Sequence, residues 1–194
     1  GTLTACGGNY YGGGAGIGAV SNGYNPPSSG GNMQSVGTIE IDGGTVTAAG
    51  GTASVYSEKL GAAGIGGSMD SITGKIIITG GTVTASGGGS AAAIGGGFCG
   101  QVNEIDISGG QITATAGKNG GSAIGSGVSQ AASASDAIGC GAINVTGGKI
   151  SAYGNIGYGK DYTITQFYNG GSITISDEAD VAIAAGLRKE RTVD

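Results

Sequence analysis

Histidine and tryptophan are absent from this 194-residue chain, and proline occurs only twice. Without histidine, Ser-His-Asp triads and His-ligated metal sites are excluded. The two prolines are adjacent, Pro26 and Pro27, and they exclude collagen despite 47 glycines. A triple helix needs glycine at every third position and abundant proline. Cations are few, 8 Lys plus Arg against 13 Asp plus Glu, and they form no basic stripe, so nucleic acid is not an expected partner. Arg188, Lys189 and Arg191 are interrupted by Glu190, and 188–194 reads as a tail. No apolar run reaches the roughly 18–20 residues of a membrane helix, so membrane insertion of this segment is not expected. Cys6, Cys99 and Cys140 are an odd number without metal-ligand spacing. They leave open one bridge with a thiol over, or three small half-buried side chains. The chain opens on Gly1 without a signal-peptide pattern, which reads as a piece of a longer, processed protein.

What is present is a repeat. Aligned on double glycines, Ile39-Glu40-Ile41-Asp42-Gly43-Gly44-Thr45-Val46-Thr47-Ala48 recurs at Ile76 to Ala85, Ile105 to Ala114 and Ile143 to Ala152. A weaker copy spans Ile164 to Ile175 around Gly170-Gly171. Between the copies falls a second signature, isoleucine followed by glycine, at Ile17, Ile65, Ile94, Ile124 and Ile156. Its last three intervals are about thirty residues, within the range of a solenoid repeat. Helix is excluded by glycine in nearly every window, at about 1 kcal/mol each relative to alanine.

Each copy alternates with the period of a strand. Ile39 and Ile41 point one way, Glu40 and Asp42 the other; after the double glycine, Val46 and Ala48 point inward and Thr45 and Thr47 outward. One unit cannot bury its apolar face alone, but stacked units can. The expected fold is therefore all-β: a single-stranded parallel β-helix of five to six coils over 1–187, with clear repeats over 14–175. Right-handed winding is expected from the chirality of parallel connections. The expected inward columns are Ile39, Ile76, Ile105, Ile143; Ile41, Ile78, Ile107, Val145; Val46, Val83, Ile112, Ile150, Ile173; and Ala48, Ala85, Ala114, Ala152, Ile175. The Ile-Gly positions supply a further wall.

Runs such as Gly43-Gly44-Thr45-Val46-Thr47-Ala48 and Ala92-Ala93-Ile94-Gly95-Gly96-Gly97 resemble the glycine-rich repeats of Firmicutes surface proteins. They are similar to clostridial carbohydrate-binding β-helix proteins, which have a pectate-lyase-like fold without lyase chemistry. The resemblance implies an extracellular, secreted or wall-attached module that adheres to polysaccharide. It carries no catalytic residue.

The residues themselves offer little chemistry. Polysaccharide lyases on this fold need acidic calcium ligands and a basic residue, whereas both arginines lie beyond the repeats and Lys75 and Lys149 sit on strands. Glu40 and Asp42 share a strand face at a spacing open to paired carboxylates. However, the outward row Glu40, Ile77, Asp106, Asn144 separates the acids, and Lys75 falls beside Glu104 as a surface ion pair of little energetic weight. No catalytic residue and no cofactor are assigned. Asp177, Glu178 and Asp180 are weak candidate calcium ligands by oxygen chemistry, but they match no calcium loop, and a solvated turn at the end of the solenoid accounts for them better. The outward Thr47, Thr84, Thr113, Ser151, Thr174 and Thr45, Thr82, Gln111, Lys149, Ser172 rows resemble an ice-binding ladder. Only two coils keep both threonines, so β-propensity on a solvated strand explains them.

Tyrosine is the best functional hint. Tyr10, Tyr11 and Tyr24 cluster early, and Tyr153, Tyr158, Tyr162 and Tyr168 late. An aromatic face with a polar tip suits a sugar ring, but tyrosine also caps solenoid ends. The candidate glycan ligands are Tyr153, Tyr158, Tyr162, Tyr168, Tyr10 and Tyr11, with Asn9, Asn22, Asn25, Asn155 and Asn169 nearby as hydrogen-bonding or turn residues. The leading expectation is a non-catalytic polysaccharide-binding or adhesin module. A passive stalk is the alternative, and a lyase or hydrolase a distant third.

Overall fold

The computed structural model describes residues 1–9, 12–21, 34–53, 60–129, 139–160 and 171–188. Among them the chain is all strand and turn, wound as a parallel β-helix. Three short parallel sheets run its length. Sheet I contains β3 (Gln34–Ile41), β6 (Ser71–Ile78), β9 (Gln101–Ile107), β12 (Cys140–Val145) and β15 (Ile173–Ile175). Sheet II contains β1 (Thr2–Cys6), β4 (Thr45–Ala49), β7 (Thr82–Ser86), β10 (Gln111–Thr115), β13 (Lys149–Tyr153) and β16 (Asp180–Ile183). Sheet III contains the two-residue strands β2 (Ile17–Gly18), β5 (Ile65–Gly66), β8 (Ile94–Gly95), β11 (Ile124–Gly125), β14 (Ile156–Gly157) and β17 (Leu187–Arg188). Each complete coil visits sheets I, II and III in that order.

Two glycine positions make the corners. Between sheets I and II the second glycine of each pair has a left-handed backbone, with φ of 89° at Gly81, which an L side chain rarely adopts. In sheet III, Gly95 has φ of 134°, and a Cβ there would lie 1.8 Å from the Gly125 carbonyl oxygen. Only glycine lets successive coils approach so closely at this wall.

Within sheets I and II, alternation puts the aliphatic side chains inside. Ile39 pairs in register with Ile76, Ile76 with Ile105, and Ile105 with Ile143. Val46, Val83, Ile112 and Ile150 form the equivalent column of sheet II. These side chains, with Ile65, Ile94, Ile124 and Ile156 from sheet III, form one continuous buried core. At about 25 cal/mol per Å² of apolar surface removed from water, this core is the main force holding the coils together. A second cluster, Ala53, Leu60, Met69, Phe98, Cys99 and Val128, seals the corner region beyond sheet III.

The last coil is shifted from the register expected of the sequence. Ile173 and Ile175 continue the sheet I columns, opposite Ile143 and Val145, rather than those of sheet II. Val181 and Ile183 take the expected sheet II places beside Ile150 and Ala152. The corner of this coil is a turn closed by the Ala179 N–H on the Ser176 carbonyl at 3.1 Å, not a double glycine. Hence Thr174 pairs with Asn144 on sheet I, and Asp180 and Ala182 end the outward rows of sheet II. Ser172 lies outside those rows. At the other end β1 adds a coil, with Thr2 and Thr4 opposite Thr45 and Thr47.

Candidate functional site

The two broad outer faces differ in chemistry. On sheet I, Lys75 Nζ lies 2.6 Å from Asp106 Oδ2 and 3.2 Å from Glu104 Oε2. Asn144 Nδ2 donates to Asp106 Oδ1 at 2.8 Å. Partial burial alone would raise the Asp106 pKa, but the hydrogen bonds from Lys75 and Asn144 outweigh it and hold the carboxyl below the usual aspartate value. The hydrogen bond to Asp106, with that to Glu104, raises the Lys75 pKa. Both carboxylates thus face the one ammonium. Glu40 stands one strand beyond Ile77, as the row alignment requires.

The outer face of sheet II is uncharged over β1, β4, β7 and β10. Three columns run along it in register: Thr2, Thr45, Thr82, Gln111, Lys149, Asp180; Thr4, Thr47, Thr84, Thr113, Ser151, Ala182; and Cys6, Ala49, Ser86, Thr115, Tyr153. The threonine pair is therefore kept in three successive coils, one more than the sequence suggested, because β1 was not recognised as a copy. Its only charges, Lys149 and Asp180, face each other at 3.7 Å.

Alternation aims Tyr153 outward, since its neighbour Ala152 is inside, and its side chain is 59% exposed at the end of the third column. Tyr158 is a correction: its residue is 2% exposed and belongs to the core. Its hydroxyl donates to the Cys140 carbonyl at 3.3 Å, so the ring has no face to offer a sugar. Asn155 is buried too, donating through Nδ2 to the Tyr158 carbonyl at 2.6 Å. Asn9 accepts the Thr52 N–H at 3.0 Å through its side-chain oxygen. Tyr10, Tyr11, Tyr24, Tyr162 and Tyr168, with Asn22, Asn25 and Asn169, lie outside the described residues.

Asp177 and Glu178 are exposed in the turn before β16, and Asp180 faces Lys149. Among the described residues no three His, Cys, Asp or Glu side chains converge as metal ligands. Cys6 is exposed on sheet II, and Cys99 and Cys140 are buried. A cleft of about 550 Å³ lies between Leu3, Ile17, Ile39 and Ile41.

One partly buried acid was not anticipated. Asp70, at the corner entering β6, has φ of 52°, and burial pushes its carboxyl up to about 7. Its N–H donates to the Phe98 carbonyl at 3.0 Å. A single aspartate between Met69 and Ser71 gave no pattern from which its burial could be read.

No curated protein and no solved structure is significantly similar to the chain. Residues 39–69, 76–98 and 105–128 match the family model of a beta helix repeat. Each match begins at the inward isoleucine of a sheet I strand and ends at or just past Met69, Phe98 or Val128 in the second cluster, which is one turn through all three sheets. Matched repeat and stacked coils agree: the three matched segments are successive turns of the parallel β-helix.

Proposed function

We propose that this β-helix is a non-catalytic module, secreted or displayed at a cell surface, that binds polysaccharide on the outer face of sheet II. The observation that carries the reading is Tyr153, an aromatic ring left open on a face otherwise made of hydroxyl, amide, methyl and thiol groups and the opposed pair Lys149 and Asp180. Such a ring stacks on a pyranose while neighbouring hydroxyls donate and accept hydrogen bonds. The ion-paired carboxylates of sheet I favour binding over hydrolysis.

A glycan array probed with the wild-type chain and Tyr153→Ala tests this. The expected result is binding to at least one polysaccharide class, weakened about tenfold by the substitution, with unchanged thermal stability because the side chain is exposed. An array with no signal for either protein would leave a passive stalk as the better description. Sugar release during incubation would overturn the non-catalytic part.

A further inference from the structure

Resting on the polysaccharide reading above, we infer that the ligand is an uncharged, extended polysaccharide lying along the solenoid axis, over the column Cys6, Ala49, Ser86, Thr115 and Tyr153.

Direction follows from periodicity. Successive strands of sheet II are about 4.8 Å apart, close to the length of one sugar ring in an extended chain. A polymer running with the axis meets a similar environment at every step: a small side chain beneath the ring and, on one flank, a hydroxyl from Thr4, Thr47, Thr84, Thr113 or Ser151. A polymer running along a strand would meet Lys149, Ser151 and Tyr153 once, with no repetition to reward its own. Shape agrees. Ala49 and Ser86 stand low and half-buried, so they form a track that the Tyr153 ring closes at one end.

Charge selects the polymer. The track carries no ionised side chain through its first four strands, and Lys149 is opposed by Asp180 at 3.7 Å. Among the described residues of the three sheet II columns no net cation is left to hold a carboxylate or sulfate. The chain as a whole has a net charge of -5, which repels a polyanion. Neutral sugars suffer no such repulsion and match the hydroxyl rows.

Cys6 makes the geometry measurable. It is exposed while Cys99 and Cys140 are buried, so it is the thiol a reagent reaches. It lies four strand steps from Tyr153, about 19 Å at the usual strand spacing. Neutral β-linked oligosaccharides of two and six sugars are titrated while the rate of Cys6 modification is followed. The hexamer should bind more tightly than the dimer. At ten times its Kd it should slow the thiol reaction about tenfold, while the saturating dimer leaves the rate unchanged. Tyr153→Ala should remove both the length dependence and the protection. A hexamer that binds through Tyr153 but leaves Cys6 reactive overturns the axial path and leaves the polysaccharide reading intact. Tighter binding of an acidic polymer overturns the charge selection. Failure of every neutral and acidic glycan to bind removes the inference together with the reading beneath it.

Discussion

Sheets I and II wall the same core with the same two-residue alternation, yet their outer faces have gone different ways. Sheet I carries Lys75, Glu104, Asp106 and Asn144, joined across three strands by contacts of 2.6 to 3.2 Å. Sheet II carries threonine, serine, glutamine and one exposed tyrosine, with nothing ionised until Lys149. The inward positions answer to packing and so repeat. The outward positions answer only to water and to what binds there, so they are free to differ. On the reading proposed above, the hydroxyl face with its open ring is the one that takes the ligand.

The comparison requires the inner sides to be equivalent, and this gives the largest expected effect. Ile105 of sheet I and Ile112 of sheet II are both essentially inaccessible. Ile105→Ala and Ile112→Ala should each cost about 2–5 kcal/mol by lost transfer energy and residual cavity, and to similar extents, read as loss of stability in denaturant titration. A tolerant site on either sheet would mean that the two do not share one core.

Next in size is a difference in pH response. Asp70 is a partly buried acid at the entrance to sheet I, and sheet II has no counterpart among the described residues. With its carboxyl pushed up to about 7, the folded protein keeps a proton that the unfolded chain releases near pH 4. Stability from this group is therefore full below about pH 4, falls as pH rises toward 7, and is level above. Asp106 has the opposite sign: its lowered pKa contributes stability above the ordinary aspartate value that is lost in stronger acid. Asp70→Asn keeps a residue type tolerant of positive φ and removes the titration. It should raise stability at pH 7.5 by about 2–4 kcal/mol and flatten the change in Tm between pH 4.5 and 7.5. Equal slopes in variant and wild type would show that Asp70 is not the source.

The same contrast explains what could be read from the residues alone. Columns such as Ile39, Ile76, Ile105, Ile143 were legible because alternation and the double glycine fix direction and register together. Tyr153 was legible in the same way, as the outward neighbour of Ala152. Tyr158 was not: it follows Ile156-Gly157 at a corner, where no alternation runs, and residue type alone cannot separate a ring that seals a core from one that meets a ligand. The last coil misled because Gly170-Gly171 looks like the corner between sheets I and II, whereas a turn over Ser176 to Ala179 makes that corner. The threonine rows were recognised, but their extent was not, since Thr2-Leu3-Thr4 did not enter the alignment on double glycines.

The smallest effect concerns the charged face. Lys75 is held between two carboxylates, but all three side chains reach water, so screening and side-chain entropy offset most of the attraction. Lys75→Met should therefore shift the denaturation midpoint least of these variants, and the shift should shrink further as salt is added. Its clear signature is electrostatic. Without the ammonium, the Asp106 pKa should move up toward its ordinary value, because partial burial then acts against only the hydrogen bonds with Asn144 and Glu104; a carboxyl NMR titration reads this directly. If Lys75→Met instead destabilised the chain as much as the isoleucine variants, the polar contacts of sheet I would belong to the structural frame. The outer faces would then differ in structural duty, and the freedom of outward positions would hold for sheet II alone.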